Sequence, residues 1–230
     1  MIIYGKQVCL YALKHHQNKI KTIYIHKTPN GKDILPKELF HKYHDNIKFI
    51  EEKWAQSMSK GGNHQGLLVE MEHAIEAQFS EIKHHNFILV LDGLTDVGNI
   101  GAIVRSAYAL GVDAIIVTGV KTINASAITR TSSGAMLDMP LMISPNILDN
   151  LNELKQLGFT FYGASMKGED INSMSFSKKR VLVMGSEGKG ISSKIYKKLD
   201  QTVSIEMSND FDSLNVSVAS GILIHAMLKN

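Results

Sequence analysis

Cysteine, proline and tryptophan are scarce in this chain of 230 residues, which has one cysteine, four prolines and one tryptophan. A single cysteine excludes an internal disulfide and is typical of a reducing compartment. Because Cys9 lies in an apolar stretch, we expect a buried structural thiol rather than a nucleophile. His41 and His44 have helical spacing but no cysteine or carboxylate at ligand spacing nearby, so we expect no metal site.

Long hydrophobic runs are absent too, since none approaches the roughly 18–20 residues that span a bilayer. The start, MIIYGKQVCLYALKHH, lacks the basic region and the small-residue cleavage site of a signal peptide. Hydrophobic residues still make up 44% of the chain, which is enough for a core. We therefore expect a globular cytoplasmic protein with no membrane partner.

Charge is modest, with a net value of +3 at pH 7, but its distribution is uneven. Over the first forty residues only Asp33 and Glu38 oppose a series of lysines: Lys6, Lys14, Lys19, Lys21, Lys27, Lys32 and Lys37. A basic face of this kind suits an anionic partner such as RNA. An ordinary solvated lysine face has the same composition, so the feature alone leaves both interpretations open.

The first part of the chain alternates helical and extended patterns and predicts a small α/β domain over residues 1–72. Helices are expected near residues 6–16, 36–43 and 53–59, and strands near 22–26, 48–51 and 66–71. The polar segment 73–85 follows with weak patterning and at most a short helix. We expect it to be a linker.

The second part, residues 86–230, repeats apolar runs that are almost continuous rather than alternating. These runs are residues 87–94, 114–119, 159–165, 180–185 and 202–207. Continuous runs are typical of strands buried on both faces of a mainly parallel sheet. Amphipathic helices are predicted at 99–110, before Gly111, and at 145–157, so ligand loops are expected at the carboxyl ends of the strands.

The first such loop, DGLTDVGNIGAIVRSA, leads from a strand into a helix. Asp96, Gly98 and Asn99 form a turn in which Asn99 is a suitable cap for the helix. Arg105 lies outside the apolar stripe of that helix. It therefore faces either solvent or a ligand.

The second loop, VLVMGSEGKGISS, is glycine-rich and brings backbone N–H groups close to a ligand or makes a tight structural turn. It is no Walker loop, because Ile191 stands where lysine is required. It also lacks the third glycine of a dinucleotide fingerprint. Glu187 lies between glycines at the end of a strand. A turn with only a structural role does not require a carboxylate there, so Glu187 favours the ligand-binding interpretation.

The third loop ends in DSLNVSVASGIL, which is compatible with an alternating strand or with a helix. Helical spacing favours a final helix with Asp212 or Ser213 as N-cap. One face of that helix would carry Leu214, Val218, Gly221, Ile222 and His225. The small residues Ser217, Ala219, Ser220 and Gly221 allow another backbone or helix to approach closely.

Taken together and in this order, the three loops resemble the motifs of SPOUT-class RNA methyltransferases, in particular the TrmH-like family that methylates ribose 2′-hydroxyls. The matching segments are NIGAIVRSA with Asn99 and Arg105, VMGSEGKG with Gly185, Glu187, Gly188 and Gly190, and SLNVSVASGI at residues 213–222. IYGKQVCLYAL and NHQGLLVEM look like the L30e-like substrate-binding domain of bacterial 23S rRNA methyltransferases in this family.

The resemblance implies an α/β fold in which the L30e-like domain, residues 1–72, precedes a SPOUT domain, residues 86–230. That second domain would have a mainly parallel sheet and a C-terminal trefoil knot. The resemblance also implies a homodimer, S-adenosylmethionine as methyl donor and RNA as substrate. The resemblance to this subgroup implies that the target is a guanosine in the peptidyl-transferase loop of 23S rRNA.

The family motifs also imply site residues. The catalytic candidates are Asn99, Arg105, Glu187, Ser213 and Asn215. The cofactor-binding candidates are Ala164, Gly185, Gly188, Ile205, Met207 and Leu214. Because a guanidinium keeps its proton, we favour phosphate binding and stabilisation of the developing alkoxide for Arg105 over a role as base.

Two positions depart from the family pattern. Val97 replaces a usual proline in the first motif, and Glu206 stands within the usual I–P–M before the third, where it adds negative charge unless it points outward. Three alternatives stay open: a tRNA methyltransferase, an rRNA enzyme acting at another nucleotide and conferring antibiotic resistance, and a noncatalytic RNA-binding or ribosome-assembly factor on the same scaffold.

Overall fold

The computed structural model describes residues 1–27, 34–72, 76–208 and 213–229. Lys32, Asp33 and Asp212, which the sequence singles out, lie outside the described residues. The strands are β1 (Ile2–Tyr4), β2 (Ile20–His26), β3 (Ile47–Ile50), β4 (Leu67–Met71), β5 (Phe87–Asp92), β6 (Ala114–Thr118), β7 (Leu141–Ser144), β8 (Thr160–Asp170), β9 (Arg180–Gly185) and β10 (Gln201–Ser204). The helices are α1 (Lys6–His15), α2 (Lys37–Lys42), α3 (Glu52–Ser59), α4 (Phe79–Ile82), α5 (Val97–Leu110), α6 (Ala125–Thr131), α7 (Ile147–Gln156), α8 (Ser193–Tyr196) and α9 (Val216–Lys229).

The chain forms two compact units, and one internal segment belongs to the first of them. Unit 1 comprises Met1–Ala74 with Asn124–Leu137, and unit 2 comprises Ile75–Ile123 with Asp138–Asn230. From the sequence we expected all of residues 86–230 to belong to one domain, whereas residues 124–137 belong to unit 1. The segment joins unit 1 because its Leu137 is part of the apolar core of that unit.

Unit 1 is built on a mixed four-stranded sheet in the order β1-β4-β2-β3. β4 runs antiparallel to both β1 and β2, whereas β2 and β3 are parallel. Cys9 is fully buried in its core, which confirms the expected structural thiol. Burial raises the pKa of that thiol, so it stays protonated and unreactive.

Unit 2 is built on a six-stranded sheet in the order β10-β8-β9-β5-β6-β7. Every pairing in this sheet is parallel. All residues of β5 and β6 are buried, because helices cover both faces of a parallel sheet and leave no strand position in water. The predicted α/β class with a mainly parallel sheet is therefore confirmed.

The amphipathic stripe of α5 is buried as predicted at Ile100, Ile103, Val104 and Ala107. The helix ends at Gly111, whose φ of 97° is a left-handed conformation that glycine adopts without strain. β1, β7 and α6 were not predicted. β1 has only three residues, which is too few for a readable period.

The predicted final helix is confirmed, but its predicted start is wrong. α9 begins at Val216, and its buried residues are Val216, Ser220, Leu223, Ile224 and Met227. Val218, Ile222 and His225 are exposed instead. α9 packs on α5. Because α9 is apolar nearly all round, the spacing of its apolar residues does not reveal which side is buried. No helix among the described residues is long and apolar enough to cross a membrane.

Candidate active site

The candidate site lies at the carboxyl edge of the parallel sheet in unit 2. β5, β9, β8 and β10 are neighbours in the sheet, although β8 and β10 are distant from β5 in the chain. Because all four run in the same direction, the segments that follow them leave from the same edge. The segments after β5, β9 and β10 are the three loops that the sequence selected.

The first loop positions Asn99 through a cap made by another residue. The Asp96 carboxylate accepts a hydrogen bond of 2.7 Å from the backbone N of Asn99 and caps α5. The sequence assigned capping to Asn99, and this is corrected. Since Asp96 satisfies the helix end, the amide side chain of Asn99 is available for other partners.

The position of Val97 also has a structural account. Val97 is the first residue of α5. Proline is common at this position because the helix forms no internal hydrogen bond with the backbone N–H of its first residue. Valine is accommodated there while the Asp96 cap preserves the helix start.

The second loop is a tight hairpin rather than an open cradle. The backbone N of Gly190 donates to the carbonyl of Ser186 at 2.8 Å, and Gly190 has a positive φ of 62°. A Cβ on Gly185 would lie 2.1 Å from the carbonyl carbon of Gly190, so only glycine allows this approach. The hairpin holds Glu187 in its exposed turn.

The third loop is capped by Asn215 and not by Ser213. The Asn215 Oδ1 accepts from the backbone N of Ser217 at 3.0 Å and from the Ser217 hydroxyl. Ser217 therefore serves the helix start, whereas the sequence assigned it to packing. Ser220 does pack: it is fully buried and its hydroxyl donates to the carbonyl of Val216.

These three local arrangements bring Asn99, Glu187 and Asn215 together. The Asn215 Nδ2 donates to the Asn99 Oδ1 at 3.0 Å and to the Glu187 Oε1 at 3.0 Å. The same carboxylate oxygen accepts from the Asn99 Nδ2 at 3.4 Å and from the backbone N of Val216 at 3.4 Å. A carboxylate oxygen that accepts several hydrogen bonds is held in a defined position. We call these three residues the polar cluster.

Arg105 and Ser213, the other two catalytic candidates, are exposed and not part of the polar cluster. Arg105 lies on α5 outside the buried stripe, as predicted. Its guanidinium is free to meet a ligand that approaches from solution. Ser213 lies ahead of α9, in a segment without regular secondary structure.

The cofactor-binding candidates follow adjacent strands. Gly185 ends β9 and Gly188 follows it, while Ile205 and Met207 come after β10. Ala164 lies on β8 just beyond Gly163, where the pairing with β9 stops. Leu214 is half-buried before α9, and Glu206 is exposed, so its side chain points outward.

Sequence reasoning missed the role of Asp92, the last residue of β5. Its carboxylate is only 4% exposed and accepts from the backbone N of Ser192 at 2.7 Å. The available signal was an acidic residue that directly ends a run of apolar ones, FILVLD. Within the described residues no group of three or more histidine, cysteine or carboxylate side chains is arranged to hold a metal ion.

Two family models match this chain in succession. The model of the SpoU rRNA methylase family matches residues 86–225, and the model of the RNA 2′-O ribose methyltransferase substrate-binding domain matches residues 2–77. The chain belongs to the SpoU rRNA methylase family. This confirms the resemblance to TrmH-like proteins, and the chain is a SpoU-family methyltransferase.

Relatives of this SpoU-family protein match over nearly their whole length. A protein of Borreliella burgdorferi called an uncharacterized tRNA/rRNA methyltransferase is 34% identical over 217 residues, covering 88% of this chain and 94% of the relative. The 23S rRNA (guanosine-2′-O-)-methyltransferase RlmB of Neisseria meningitidis is 30% identical over 232 residues, covering 96% and 92%.

Solved structures share the fold of this SpoU-family protein. An AdoMet-bound rRNA methyltransferase from Sinorhizobium meliloti has a TM-score of 0.75 at 22% identity, covering 99% of this chain and 86% of that one. The SpoU methyltransferase AviRb from Streptomyces viridochromogenes, in complex with AdoMet, has a TM-score of 0.74 at 22% identity, covering 100% and 89%.

Proposed function

We propose that this protein methylates a ribose 2′-hydroxyl of RNA with S-adenosylmethionine as methyl donor. The observation that carries the proposal is the polar cluster, in which Asn99, Glu187 and Asn215 from three separate loops are hydrogen-bonded to one another. Those loops are the ones that carry the family motifs. Side chains from distant parts of a chain that converge at the carboxyl edge of a parallel sheet are typical of an active site.

The residues proposed for the methyl donor have the chemistry that a nucleoside and an amino acid require. Ile205 and Met207 follow β10 and belong to no strand, so no sheet ladder uses their backbone N–H and C=O groups. Gly188 is exposed and a Cβ there would meet nothing, which leaves room for close approach. Ala164, Gly185 and Leu214 are the other residues that we propose to line the binding site for the methyl donor. Two structural neighbours, described as bound to AdoMet, support this assignment.

S-adenosylmethionine would supply an electrophilic methyl group on a sulfonium. In the transfer the ribose oxygen forms the new C–O bond while the C–S bond breaks, and the 2′ proton leaves to a base. The protein must align the two centres and stabilise charge on the ribose oxygen. We assign phosphate binding and that stabilisation to Arg105, and orientation of the ribose to Asn99, Ser213 and Asn215.

We propose 23S rRNA as the substrate and a guanosine as the target. Support comes from the Neisseria meningitidis relative, which is named for that reaction and matches 96% of this chain. The domain that precedes the methylase domain also matches a substrate-binding model. Lys6 and Lys14, which are exposed on unit 1, would hold RNA phosphates there, an interaction that salt weakens. The Borreliella burgdorferi relative, whose name includes tRNA, supports tRNA as the second candidate.

Mapping of 2′-O-methylation on 23S rRNA and on tRNA, with and without the protein and S-adenosylmethionine, tests this proposal. One new methylated guanosine in 23S rRNA is expected. A mark confined to tRNA would select the second candidate. RNA binding without any mark would contradict catalysis and favour the noncatalytic assembly factor.

The Arg105→Ala variant tests the role of the guanidinium in the same assay. We expect turnover to fall by about 100-fold or more, the scale of a lost electrostatic stabiliser, while S-adenosylmethionine affinity by calorimetry is unchanged. Lys178→Ala is the control, because Lys178 is an exposed cation that precedes β9 at the amino edge of the sheet. Equal turnover of the Arg105→Ala variant and the wild type would remove Arg105 from the mechanism.

We further propose a cytoplasmic homodimer that associates through α9, and a trefoil knot in the C-terminal segment. Support for the dimer comes from the apolar side chains that α9 leaves in water: Val218 is 50% exposed and Ile222 is 41% exposed. Ile222→Glu should give monomers in sedimentation, whereas Leu157→Glu, at an exposed apolar residue after α7, should not. A chain trace in an experimental density map tests the knot.

A further inference from the structure

Asp92 is a buried carboxylate that is not part of the polar cluster. It is the last residue of β5 and is 4% exposed. A buried carboxylate is stable only where hydrogen bonds replace its water shell. The backbone N of Ser192 provides such a bond at 2.7 Å. The two residues are 100 positions apart in the chain, so this bond joins separate segments.

The bond closes the glycine-rich loop on one point of the sheet. In the ladder between β5 and β9, Asp92 is the register partner of Gly185, the last residue of β9. The chain therefore leaves the sheet beside Asp92, makes the hairpin of Ser186 and Gly190, and returns to the Asp92 carboxylate at Ser192. Both ends of the loop are fixed next to the same residue.

Glu187 lies inside this closed loop, and its Oε1 is the acceptor on which Asn215 and Asn99 converge. The turn at residues 187–190 is exposed, so little apolar packing restrains the turn itself, whereas Ile191 beyond it packs on the core of unit 2. A shift of about 1 Å in a catalytic group is enough to cost about 100-fold in rate. The position of Glu187 consequently depends on what holds the two ends of the loop.

We propose that Asp92 is a positioning residue: it holds the glycine-rich loop through the N–H of Ser192 and thereby places the Glu187 carboxylate against Asn99 and Asn215. The inference rests on the proposed methyl transfer. Asp92 acts as a hydrogen-bond acceptor in this role. Its negative charge takes no part in the reaction.

A substitution at Ser192 removes the bond while residue 92 stays aspartate, and the proline ring then displaces the carboxylate from the loop. Ser192 has a φ of −61° and a ψ of 144°, a conformation that proline adopts, but proline has no N–H to donate. Ser192→Pro should lower kcat about 10- to 100-fold and leave the KM for RNA within about twofold. Ser193→Pro is the matched control, because Ser193 is the first residue of α8, where proline is favoured and the N–H has no intrahelical partner. That variant should keep wild-type kcat.

Two substitutions of Asp92 separate the acceptor from the charge. Asp92→Asn keeps an oxygen that accepts from Ser192, so kcat should stay within about threefold of wild type. Asp92→Ala removes the acceptor and should match Ser192→Pro. An Asp92→Asn variant that is folded, by circular dichroism, and as slow as Asp92→Ala would overturn the proposal, because the charge would then be what matters. If Asp92→Ala does not fold, the two proline variants decide the question.

A double-mutant comparison tests whether Asp92 acts through Glu187. Ser192→Pro should have little further effect on kcat in a Glu187→Ala background, since the side chain that it displaces is already absent. An equally large loss in both backgrounds would mean a general structural role and would sink the idea.

Hydrogen exchange gives a readout that does not depend on catalysis. Ser192→Pro should increase exchange at the amide of Gly190, which donates within the hairpin, while Ser193→Pro should not. If the wild-type protein methylates no RNA, the proposed function fails, and this exchange result still reports whether the anchor restrains the loop. If the wild-type protein is active but exchange at Gly190 is the same in all three proteins, the positioning role is wrong.

Discussion

Asn215 serves two structural purposes at once, and they are separable by substitution. Its Oδ1 caps α9 by accepting from Ser217, and its Nδ2 donates to Glu187 and Asn99. The cap stabilises the helix, whereas the donor groups organise the polar cluster. A shorter polar side chain retains the first property and loses the second.

Asn215→Ala should lose both properties, with about 1 kcal/mol less stability and a large loss of methylation. Asn215→Ser should recover the stability, because serine is an equally good N-cap, but it should not recover the methylation because its hydroxyl does not reach Glu187. Denaturant unfolding and the methylation assay give the two readouts. Full activity of the serine variant would show that the bridge to Glu187 is dispensable.

Glu52 in unit 1 is a residue whose titration should affect the stability of the protein. Hydrogen bonding from Gln56 lowers the pKa of Glu52, with smaller contributions from His64 and His26. A carboxyl group with a lowered pKa in the folded state stabilises the protein above its unfolded pKa, near 4.5, and this stabilisation is lost as pH falls through the folded pKa.

The difference in Tm between wild type and Glu52→Gln should therefore be constant above about pH 5.5 and shrink below about pH 4.5. Thermal unfolding followed from pH 3 to pH 7 measures it. Gln56→Ala is the companion variant, since it removes the main cause of the lowered pKa and should reduce the same pH-dependent part. A difference that grows towards low pH would contradict the assigned sign.

Among the elements, α5 follows β5, the strand that carries Asp92, and α5 itself carries Asn99 in its first turn. Its start depends on the Asp96 cap, and the N–H that Asp96 accepts from is that of Asn99 itself. Its end depends on Gly111. The apolar stripe between these two points decides which way Arg105 faces.

Loss of the cap in Asp96→Ala should cost about 1 kcal/mol and lower Tm by roughly 2–4 °C. Asp96→Ser should restore most of the stability, because serine caps helices about as well as aspartate. Differential scanning calorimetry distinguishes the two variants. An alanine variant as stable as the wild type would mean that the first turn of α5 is held by its packing alone.

For the whole molecule, the assignment of Asn124–Leu137 to unit 1 is the feature with the clearest consequence. Leu137 lies in the same core as Cys9 and Val69, and the Arg130 Nε donates to the carbonyl of Asn63 at 3.1 Å. A segment that follows β6 in the chain thus helps to build the unit that matches the substrate-binding model.

Leu137→Ala should destabilise unit 1 by roughly 2–5 kcal/mol, the cost of an emptied core position. RNA affinity should fall while S-adenosylmethionine affinity is retained. Leu154→Ala, which empties a position in the core of unit 2, should weaken S-adenosylmethionine binding instead. Calorimetry with each ligand measures both, and a loss of S-adenosylmethionine binding in the Leu137 variant would assign the segment to unit 2.

Much of unit 2 could be predicted because its signals are local. The apolar runs of β5, β6 and β9 need no knowledge of their neighbours to be identified as buried strands. Gly111 and the stripe of α5 define that helix within a single segment. The face of α9 could not be chosen in this way, because the helix is apolar nearly all round and its partner α5 lies far away in the chain.

The amino-acid sequence by itself determined the α/β class, the parallel sheet, the family and the three loops that carry Asn99, Glu187 and Asn215. These follow from side-chain chemistry and periodicity within single segments. Only the tertiary structure decided which atoms meet: Asn215 with Asn99 across 116 positions, Ser192 with Asp92 across 100, and Leu137 with the core of unit 1. The physical reason is that hydrogen bonds act over about 3 Å, and strand order in the folded sheet, rather than distance along the chain, brings those atoms within that range.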